Sequence, residues 1–326
     1  MNRKKCPSCN SPITKRNGKR NGVQLYKCQA CGRQFRAGEK PTNELLWYLY
    51  QERKQTAFEI AEEYGVSRCT ISRRLKHIEV GWQQPNLQGM SGYVHLDATY
   101  WGRNWGVLAA IDEATSRPLY RAFIKKEKVE DYMLAITTLV KNGYEIKGLI
   151  LDGVKGVFLA YPNYKIQMCQ YHMERIIVRY LTQNPQLAAS IALMLLIKRL
   201  PQLTRLQFEK EYNEWKKQYD KTLKERSKST ITGKTSYTHK RLRGAMRSID
   251  FFLPYLFTYQ ETICDGMPNT NNKIEGIFTD LKKNLNNHSG LSEDSRKRFI
   301  NGFFLALESK SANQNSSEPK PTAASL

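Results

Sequence analysis

The chain has 326 residues, of which 52 are lysine or arginine and 30 are aspartate or glutamate, so its formal net charge is +22. A charge this positive indicates a polyanionic partner such as nucleic acid, and an apolar content of 40% excludes a disordered basic protein. No stretch approaches the roughly 18 apolar residues of a membrane helix, and the first residues, MNRKKCPSCN, lack the apolar core of a signal peptide. We therefore expect neither a membrane protein nor a secreted disulfide scaffold.

The first predicted module spans residues 1–40 and contains two C-x2-C pairs with 18 residues between them. The four cysteines are Cys6, Cys9, Cys28 and Cys31. Two such pairs supply the sulfurs of a closed tetrahedral zinc site, which leaves no position open for catalysis, and a module this short needs the metal for its folding energy. We predict a zinc ribbon with one structural Zn²⁺; unpaired buried cysteines are the alternative. Its basic residues, including Arg33 and Arg36, suit contacts with phosphate.

Residues 41–84 are predicted to form a helix-turn-helix domain, after a first helix over residues 43–51. Gly65 ends one helix of the motif and Ser67 can cap the next. A helix-turn-helix places its second helix in the major groove of DNA, so the outward residues of that helix are assigned to DNA binding. They are Arg68, Thr70, Ser72, Arg73, Arg74 and Lys76. Cys69 has no partner at ligand spacing and is predicted to be a small core residue. An ordinary helical hairpin is the alternative interpretation.

The central region is predicted to be a mixed α/β sheet built from three strands, an amphipathic helix over residues 129–141, a strand, a helix and a last strand, KIQMCQYH. The first strand is expected to end on Asp97, and Asp152 follows the aliphatic run LIL of a later strand. Ligands gather at such strand ends in open α/β sheets. Two buried carboxylates repel each other unless a cation lies between them, and hard oxygen ligands favour Mg²⁺ or Mn²⁺. Capping or solvated acids are the alternative interpretation.

Four motifs in this order give the chain a resemblance to the DDE transposases of bacterial insertion sequences, in the Mutator-like branch. They are LDATYW around Asp97, LILDG around Asp152, MCQYH with Cys169 and His172, and NTNNKIEGIFTDLK around Glu275. The resemblance spans residues 90–308 and implies an RNase H-like catalytic core with a helical insertion at about 175–265. It also implies that Asp97, Asp152 and Glu275 form the metal-binding catalytic triad. Cys169 and His172 are carried over as site-associated residues with no assigned role. Metal ligation is one alternative for this pair, although two ligands alone make a poor zinc site, and packing with hydrogen bonding near the carboxylates is the other.

Without the resemblance, Glu275 is not distinguished from a plain first-turn glutamate, which the helix dipole favours. Glu261 and Glu293 are nearby alternatives for the third acid. The final residues, 309–326, lack periodicity and are predicted to be a disordered tail. An odd number of cysteines, four of them at metal-ligand spacing, indicates a reducing compartment.

The resemblance implies a transposase that binds insertion-sequence ends in double-stranded DNA, nicks a strand and joins the freed 3′-hydroxyl to target DNA. Two Mg²⁺ or Mn²⁺ ions would serve both steps, because each step is an in-line displacement at a phosphodiester. A homodimer or larger assembly and a cytoplasmic, nucleoid-associated location in a bacterium are expected, with no membrane partner. Two alternatives stay open: a DNA-binding regulator with an inactive core, and a structure-specific RNase H-like nuclease.

Overall fold

The computed structural model describes residues 4–6, 8–20, 23–36, 41–102, 104–228, 230 and 233–315. The chain divides into two compact units: the first comprises residues 1–82 and 281–306, and the second comprises residues 83–280 and 307–326. None of the helices in the described part of the chain combines the length and the apolar composition that crossing a bilayer requires.

The first unit begins with a three-stranded antiparallel sheet, in which the middle strand pairs with both others, and continues with three helices. The strands are β1 (Thr14–Arg20), β2 (Val23–Cys28) and β3 (Gln34–Arg36). The helices are α1 (Asn43–Gln51), α2 (Ala57–Glu63) and α3 (Arg68–His77).

Local sequence signals account for the bounds of these three helices. The side chains of Thr42, Thr56 and Ser67 each accept a hydrogen bond from the backbone N–H three residues later, which satisfies a donor that the helix leaves unpaired. Between α2 and α3, Gly65 has a φ of +58°, a conformation that glycine adopts without steric cost. The predicted glycine stop and serine cap are therefore confirmed.

The prediction that Cys69 is a core residue is wrong, because its side chain is exposed. The fully buried positions of α3 are Ile71 and Leu75, four residues apart on one face. Cys69 precedes Ile71 by two residues, which places it on the other side of the helix.

A five-stranded mixed sheet forms the centre of the second unit. Its strands are β4 (Ser91–Trp101), β5 (Trp105–Asp112), β6 (Pro118–Ile124), β7 (Glu145–Leu151) and β8 (Ile166–Met168). They lie in the order β6-β5-β4-β7-β8. Strands β4, β5 and β6 are antiparallel neighbours, whereas β7 runs parallel to both β4 and β8. The prediction of a mixed α/β fold is confirmed.

Helix α4 (Val129–Lys141) connects β6 to β7, and helix α5 (Lys155–Ala160) connects β7 to β8. Every residue of β5 is buried, as expected for a strand with a partner on each side. One face of α4 is also buried, through Tyr132, Ile136 and two further residues at helical spacing. The sheet and this helix thus form the core beneath the carboxylates.

Two predicted strand ends differ from the structure. Strand β4 does not end on Asp97 but continues to Trp101, because its antiparallel pairing with β5 extends to that residue. The predicted strand KIQMCQYH ends at Met168, and a helix begins at Gln170. The buried residues Met173, Ile177 and Leu181 of this helix recur every four residues, a helical period that the following sequence imposes.

The segment between β8 and the last two helices is mostly helical and contributes to the same hydrophobic core as the sheet. Its helices are α6 (Gln170–Leu181), α7 (Ala188–Lys198), α8 (Arg205–Gln218), α9 (Asp220–Lys224) and α10 (Lys240–Phe252). Short 3-10 turns lie at Leu200–Gln202, Leu253–Tyr255, Thr258–Gln260 and Thr262–Cys264. An antiparallel hairpin of β9 (Arg226–Lys228) and β10 (Thr235–Tyr237), which the sequence analysis does not predict, precedes α10.

The chain continues with helices α11 (Asn272–Asn286) and α12 (Glu293–Asn315). The predicted disordered tail begins at residue 309, whereas α12 extends to Asn315. An ion pair explains part of this order, since Glu308 accepts a hydrogen bond of 2.9 Å from the guanidinium of Arg117, the residue that directly precedes β6. The rest of the predicted tail, residues 316–326, lies outside the described residues.

Candidate functional site

Strand register brings two aspartates of the second unit together. The last parallel pair between β4 and β7 joins His95 to Ile150. Asp97 and Asp152 each follow that pair by two residues, so their side chains leave neighbouring chains on the same face of the sheet. The two carboxyl groups are in hydrogen-bonding contact.

Burial and mutual repulsion govern the protonation of this pair. Asp97 is buried, and its burial raises its pKa well above the usual range, with a further rise from the Asp152 charge. Burial also raises the pKa of Asp152, against a smaller opposing effect of His172. One Asp97 oxygen accepts a hydrogen bond of 2.7 Å from the Ala98 N–H. Carboxyl groups held this close share either a proton or a cation.

The imidazole of His172, on the first turn of α6, brings a third acid to the site. Its Nε2 lies 3.7 Å from Asp152 Oδ2 and 3.5 Å from Glu275 Oε1 on the first turn of α11. The structure thus brings all three predicted acids to one site, with Asp97 beside Asp152 and His172 between Asp152 and Glu275.

Three polar atoms of the site are buried without a hydrogen-bond partner among the described residues. They are Asp152 Oδ1, His172 Nδ1 and Glu275 Oε1. Burying a polar atom without a partner is unfavourable, so these three atoms are available to a ligand, an ion or water. Carboxylate oxygens are the donors that Mg²⁺ and Mn²⁺ prefer, so the acids present fit a hard divalent cation.

Cys169 lies beside this cluster, and its sulfur, a His172 nitrogen and a Glu275 oxygen lie within 4.8 Å of one another. Burial raises the pKa of the Cys169 thiol to about 11, and metal ligation requires the thiolate. The sulfur accepts a hydrogen bond of 3.2 Å from the Asn271 N–H. In this structure Cys169 therefore holds the backbone that leads into α11.

The two alternative third acids have partners of their own. Glu261 pairs with Lys165 at 2.6 Å, and Glu293 pairs with Lys297, one helical turn later, at 2.6 Å. Both are ordinary ion pairs on the surface of the protein, and neither acid contacts His172 as Glu275 does.

The sequence analysis missed a polar network next to the acids. His95, two residues before Asp97 and fully buried, contacts Asn271 Oδ1 through Nδ1 at 2.7 Å and Glu113 through Nε2 at 2.5 Å. Lys273, on the first turn of α11, contacts the Glu113 carboxylate at 3.4 Å. The alternation of β4 places His95 on the same face as Asp97, and this pattern is the sequence signal that could have identified His95. Nothing local in the sequence indicates the contact between His95 and Asn271.

A fourth acid, Glu127, was also missed. Burial raises its pKa, a hydrogen bond from the Tyr132 hydroxyl opposes this effect, and the Asp152 charge raises the pKa further. The Tyr132 oxygen lies 2.5 Å from Glu127 Oε1. Glu127 in turn raises the pKa of Asp97, so this acid belongs to the surroundings of the aspartate pair.

The four cysteines of the first unit form a second candidate metal site. Their sulfurs all lie within 4.8 Å of one another, and two of the distances, Cys6 to Cys31 and Cys9 to Cys28, are 3.6 Å. Tetrahedral zinc with bonds of about 2.3 Å places its sulfurs about 3.8 Å apart. The backbone N–H of Cys31 lowers the pKa of Cys28 to about 6, although burial opposes this. The cluster is therefore able to hold one zinc ion.

The residues assigned to DNA binding have different surroundings. Arg33, Arg36, Arg68, Arg73 and Lys76 are exposed, and Thr70 and Ser72 are half-buried. Arg74 instead donates hydrogen bonds to Pro41 O at 2.7 Å and to Asn43 Oδ1 at 2.8 Å. These bonds hold α3 to the start of α1, and this anchoring accounts for Arg74 without a contact to DNA.

Neither protein-family models nor curated proteins give a match to this chain.

Proposed function

We propose that the protein is a DDE-type transposase that cleaves and joins DNA strands at insertion-sequence ends. One observation carries this proposal: acids from three distant parts of the chain meet at one site. Asp97 contacts Asp152, while Asp152 and Glu275 flank His172 and each has a buried oxygen without a hydrogen-bond partner among the described residues. Structural acids need no such convergence, because it makes each charge harder to accommodate.

In this proposal, Asp97, Asp152 and Glu275 hold two Mg²⁺ or Mn²⁺ ions. When bound, such ions activate the attacking oxygen and stabilise the leaving 3′-oxygen of a phosphodiester. The protein contributes the placement of the acids: the sheet fixes the two aspartates, and α11 presents the glutamate. His172 spaces Asp152 from Glu275 and leaves its Nδ1 available to a polar group of the substrate.

The fold agrees with this function. A mixed sheet with an acid on its central strand and another after the adjacent parallel strand is compatible with an RNase H-like core, and helices follow as an insertion. The cysteine cluster with its antiparallel sheet supports a zinc ribbon, and α2 and α3 support a helix-turn-helix. Together with the charge of +22, these modules suit double-stranded DNA. We further propose that the protein acts as a homodimer or larger assembly on the bacterial nucleoid.

Strand cleavage and joining test the proposal directly. The substrate is a supercoiled plasmid that carries the DNA flanking the gene on both sides, incubated with the purified protein and Mn²⁺. We expect nicked and joined products from the unaltered protein. Asp97→Asn, Asp152→Asn and Glu275→Gln should each lower cleavage by about 100-fold or more while DNA binding persists.

Glu261→Gln is the matched control, because it removes a glutamate charge from an ion pair that the triad does not use. Cleavage by Asp152→Asn at the unaltered rate would disprove the triad. Binding without any nick would favour the regulator with an inactive core. Nicks without joined products, on a plasmid shown to contain both ends, would favour the structure-specific nuclease.

A further inference from the structure

A groove in the first unit joins α3 to a segment from the far end of the chain. Residues 287–298, which connect α11 to α12 and include the first turns of α12, form one side of it, and parts of α1, α2 and α3 form the other. Its volume is about 470 Å³. The groove is therefore large enough to hold more than an ordered water molecule or an ion.

The groove is positively charged. Arg68 and Lys76 line it from α3, and Arg298 lines it from α12, while none of the described residues in its wall is acidic. Arg68 lies in the first turn of α3, where the helix dipole disfavours a cation. The Arg68 charge therefore adds nothing to the stability of α3 and is available to an anionic ligand.

Specific contacts hold residues 287–298, one side of the groove, in place. Arg298 Nη1 donates a hydrogen bond of 3.5 Å to Leu75 O, and its remaining donors are left for a ligand. The His288 ring packs against Tyr50 and Phe299, with ring centroids 4.0 Å and 5.1 Å away. Residues 287–298 are thus held against α3.

The polar groups of the groove suit a phosphodiester backbone. Ser72, Ser292 and Ser295 add hydroxyl groups to the same wall, and hydroxyl, guanidinium and ammonium groups are among the donors that contact phosphates in protein–DNA complexes. Ser292 caps α12 by accepting a hydrogen bond from the Ser295 N–H, so the positive end of that helix dipole also faces the groove.

We propose that one strand of double-stranded DNA runs along this groove with its phosphates between α3 and the start of α12. This inference rests on the proposed DNA-binding function and deepens it. The DNA interface is then a groove, in which α3 forms one side and residues 287–298 form the other. The segment that follows Glu275 along the chain therefore also holds the DNA.

Salt-dependent binding to a short labelled duplex of mixed sequence tests the proposal on the full-length protein. Arg298→Gln and Arg68→Gln should each weaken binding and lower the slope of log K against log salt by about 0.9 for each lost phosphate contact between about 50 and 200 mM salt. Arg296→Gln is the matched control, because it removes the same charge from the same turn of α12 but does not line the groove.

Ser295→Asp provides a second variant that preserves the fold. An acid in the first turn of α12 is favourable for the helix, yet it places a negative charge in the groove. Thermal unfolding should show no loss of stability, while duplex binding weakens more than in Arg296→Gln. Equal binding and equal salt slopes for Arg298→Gln, Ser295→Asp and Arg296→Gln would overturn the proposal that DNA binds in the groove. No duplex binding by the unaltered protein would instead overturn the proposed function itself.

Discussion

At the residue scale, Asn271 connects three segments of the candidate active site. Its Oδ1 accepts a hydrogen bond of 2.7 Å from His95 Nδ1, its Nδ2 donates to Leu96 O at 3.2 Å, and its backbone N–H donates to Cys169 Sγ. The donation to Leu96 O fixes the orientation of the amide, so His95 Nδ1 carries a proton. Since Asn271 directly precedes α11, these bonds position the helix that carries Glu275.

Replacing this amide is expected to destabilise the second unit. Asn271→Ala leaves the buried His95 Nδ1 and the Leu96 carbonyl without their partner, which costs about 1–3 kcal/mol for each unsatisfied group. Urea denaturation measures the loss in free energy of unfolding. Asn272→Ala is the control, since the neighbouring side chain is exposed and should change stability by less than about 0.5 kcal/mol. Equal losses in the two variants would contradict the positioning role of Asn271.

His288 predicts a pH dependence of the first unit. Burial lowers its pKa from 6.5 to about 4, so the folded protein keeps this ring neutral where the unfolded chain protonates it. The unfolded state then binds more protons between these two values, and stability falls as the pH drops from 6.5 towards 4. Glu59 is the acid that faces the ring and opposes this effect.

The measurement is urea denaturation at about pH 7 and about pH 5, a range that spans the titration of free histidine. The unaltered protein should lose more stability between these two conditions than His288→Gln, whose side chain does not titrate. The same loss in both proteins would show that other groups cause the acid sensitivity.

At the scale of the element, predictions succeeded where one period dominates. The sequence predicts α4 over residues 129–141, as the structure has it, because its apolar residues repeat at helical spacing throughout. The segment KIQMCQYH is too short to reveal its period, so the sequence alone predicts a strand along its whole length. The second half of the segment is helical because of apolar residues that come after it, Met173 and Ile177, which are buried at helical spacing. His172 therefore lies on a helix, which is what aims its ring between two acids.

The cysteine cluster is expected to bind one zinc ion per chain and to need it for folding. A module of about 40 residues buries little apolar surface of its own, so the metal supplies much of its folding energy. Metal analysis of the purified protein should find zinc, and Cys28→Ser should lose it together with the far-ultraviolet signal of the small sheet. Cys69→Ser is the control, because that exposed thiol does not belong to the cluster. Full zinc content in Cys28→Ser would contradict the site.

For the molecule as a whole, the sequence predicts those site residues whose own neighbours along the chain indicate a buried strand. The aliphatic run before Asp152 and the alternation around Asp97 indicate buried strands, and parallel register then makes the two acids neighbours. The proximity of Glu275 depends on tertiary contacts through His172 and Asn271, which no local pattern encodes. Residues alone did not choose Glu275 over Glu261; the motif resemblance did, and the structure places Glu275 3.5 Å from His172.

The stability of the metal-free protein provides a test that does not depend on activity. Burial raises the pKa of Asp152, so the folded state prefers the protonated carboxyl group. The free energy of unfolding therefore decreases as the pH rises through the pKa that Asp152 has in the folded protein. Asp152→Asn keeps the shape and removes the charge. At neutral pH without metal, this variant should therefore be more stable than the unaltered protein, by about 1 kcal/mol for each unit of pKa shift.

Addition of Mn²⁺ should reverse this order, because an ion that binds only the folded state stabilises it by mass action. The melting temperature of the unaltered protein should rise with Mn²⁺ concentration, whereas that of Asp152→Asn should stay nearly constant. Glu261→Gln should respond to Mn²⁺ like the unaltered protein, since its ion pair with Lys165 is separate from the acids. An equal rise in all three proteins would place the Mn²⁺ elsewhere and leave the buried acids without a cation.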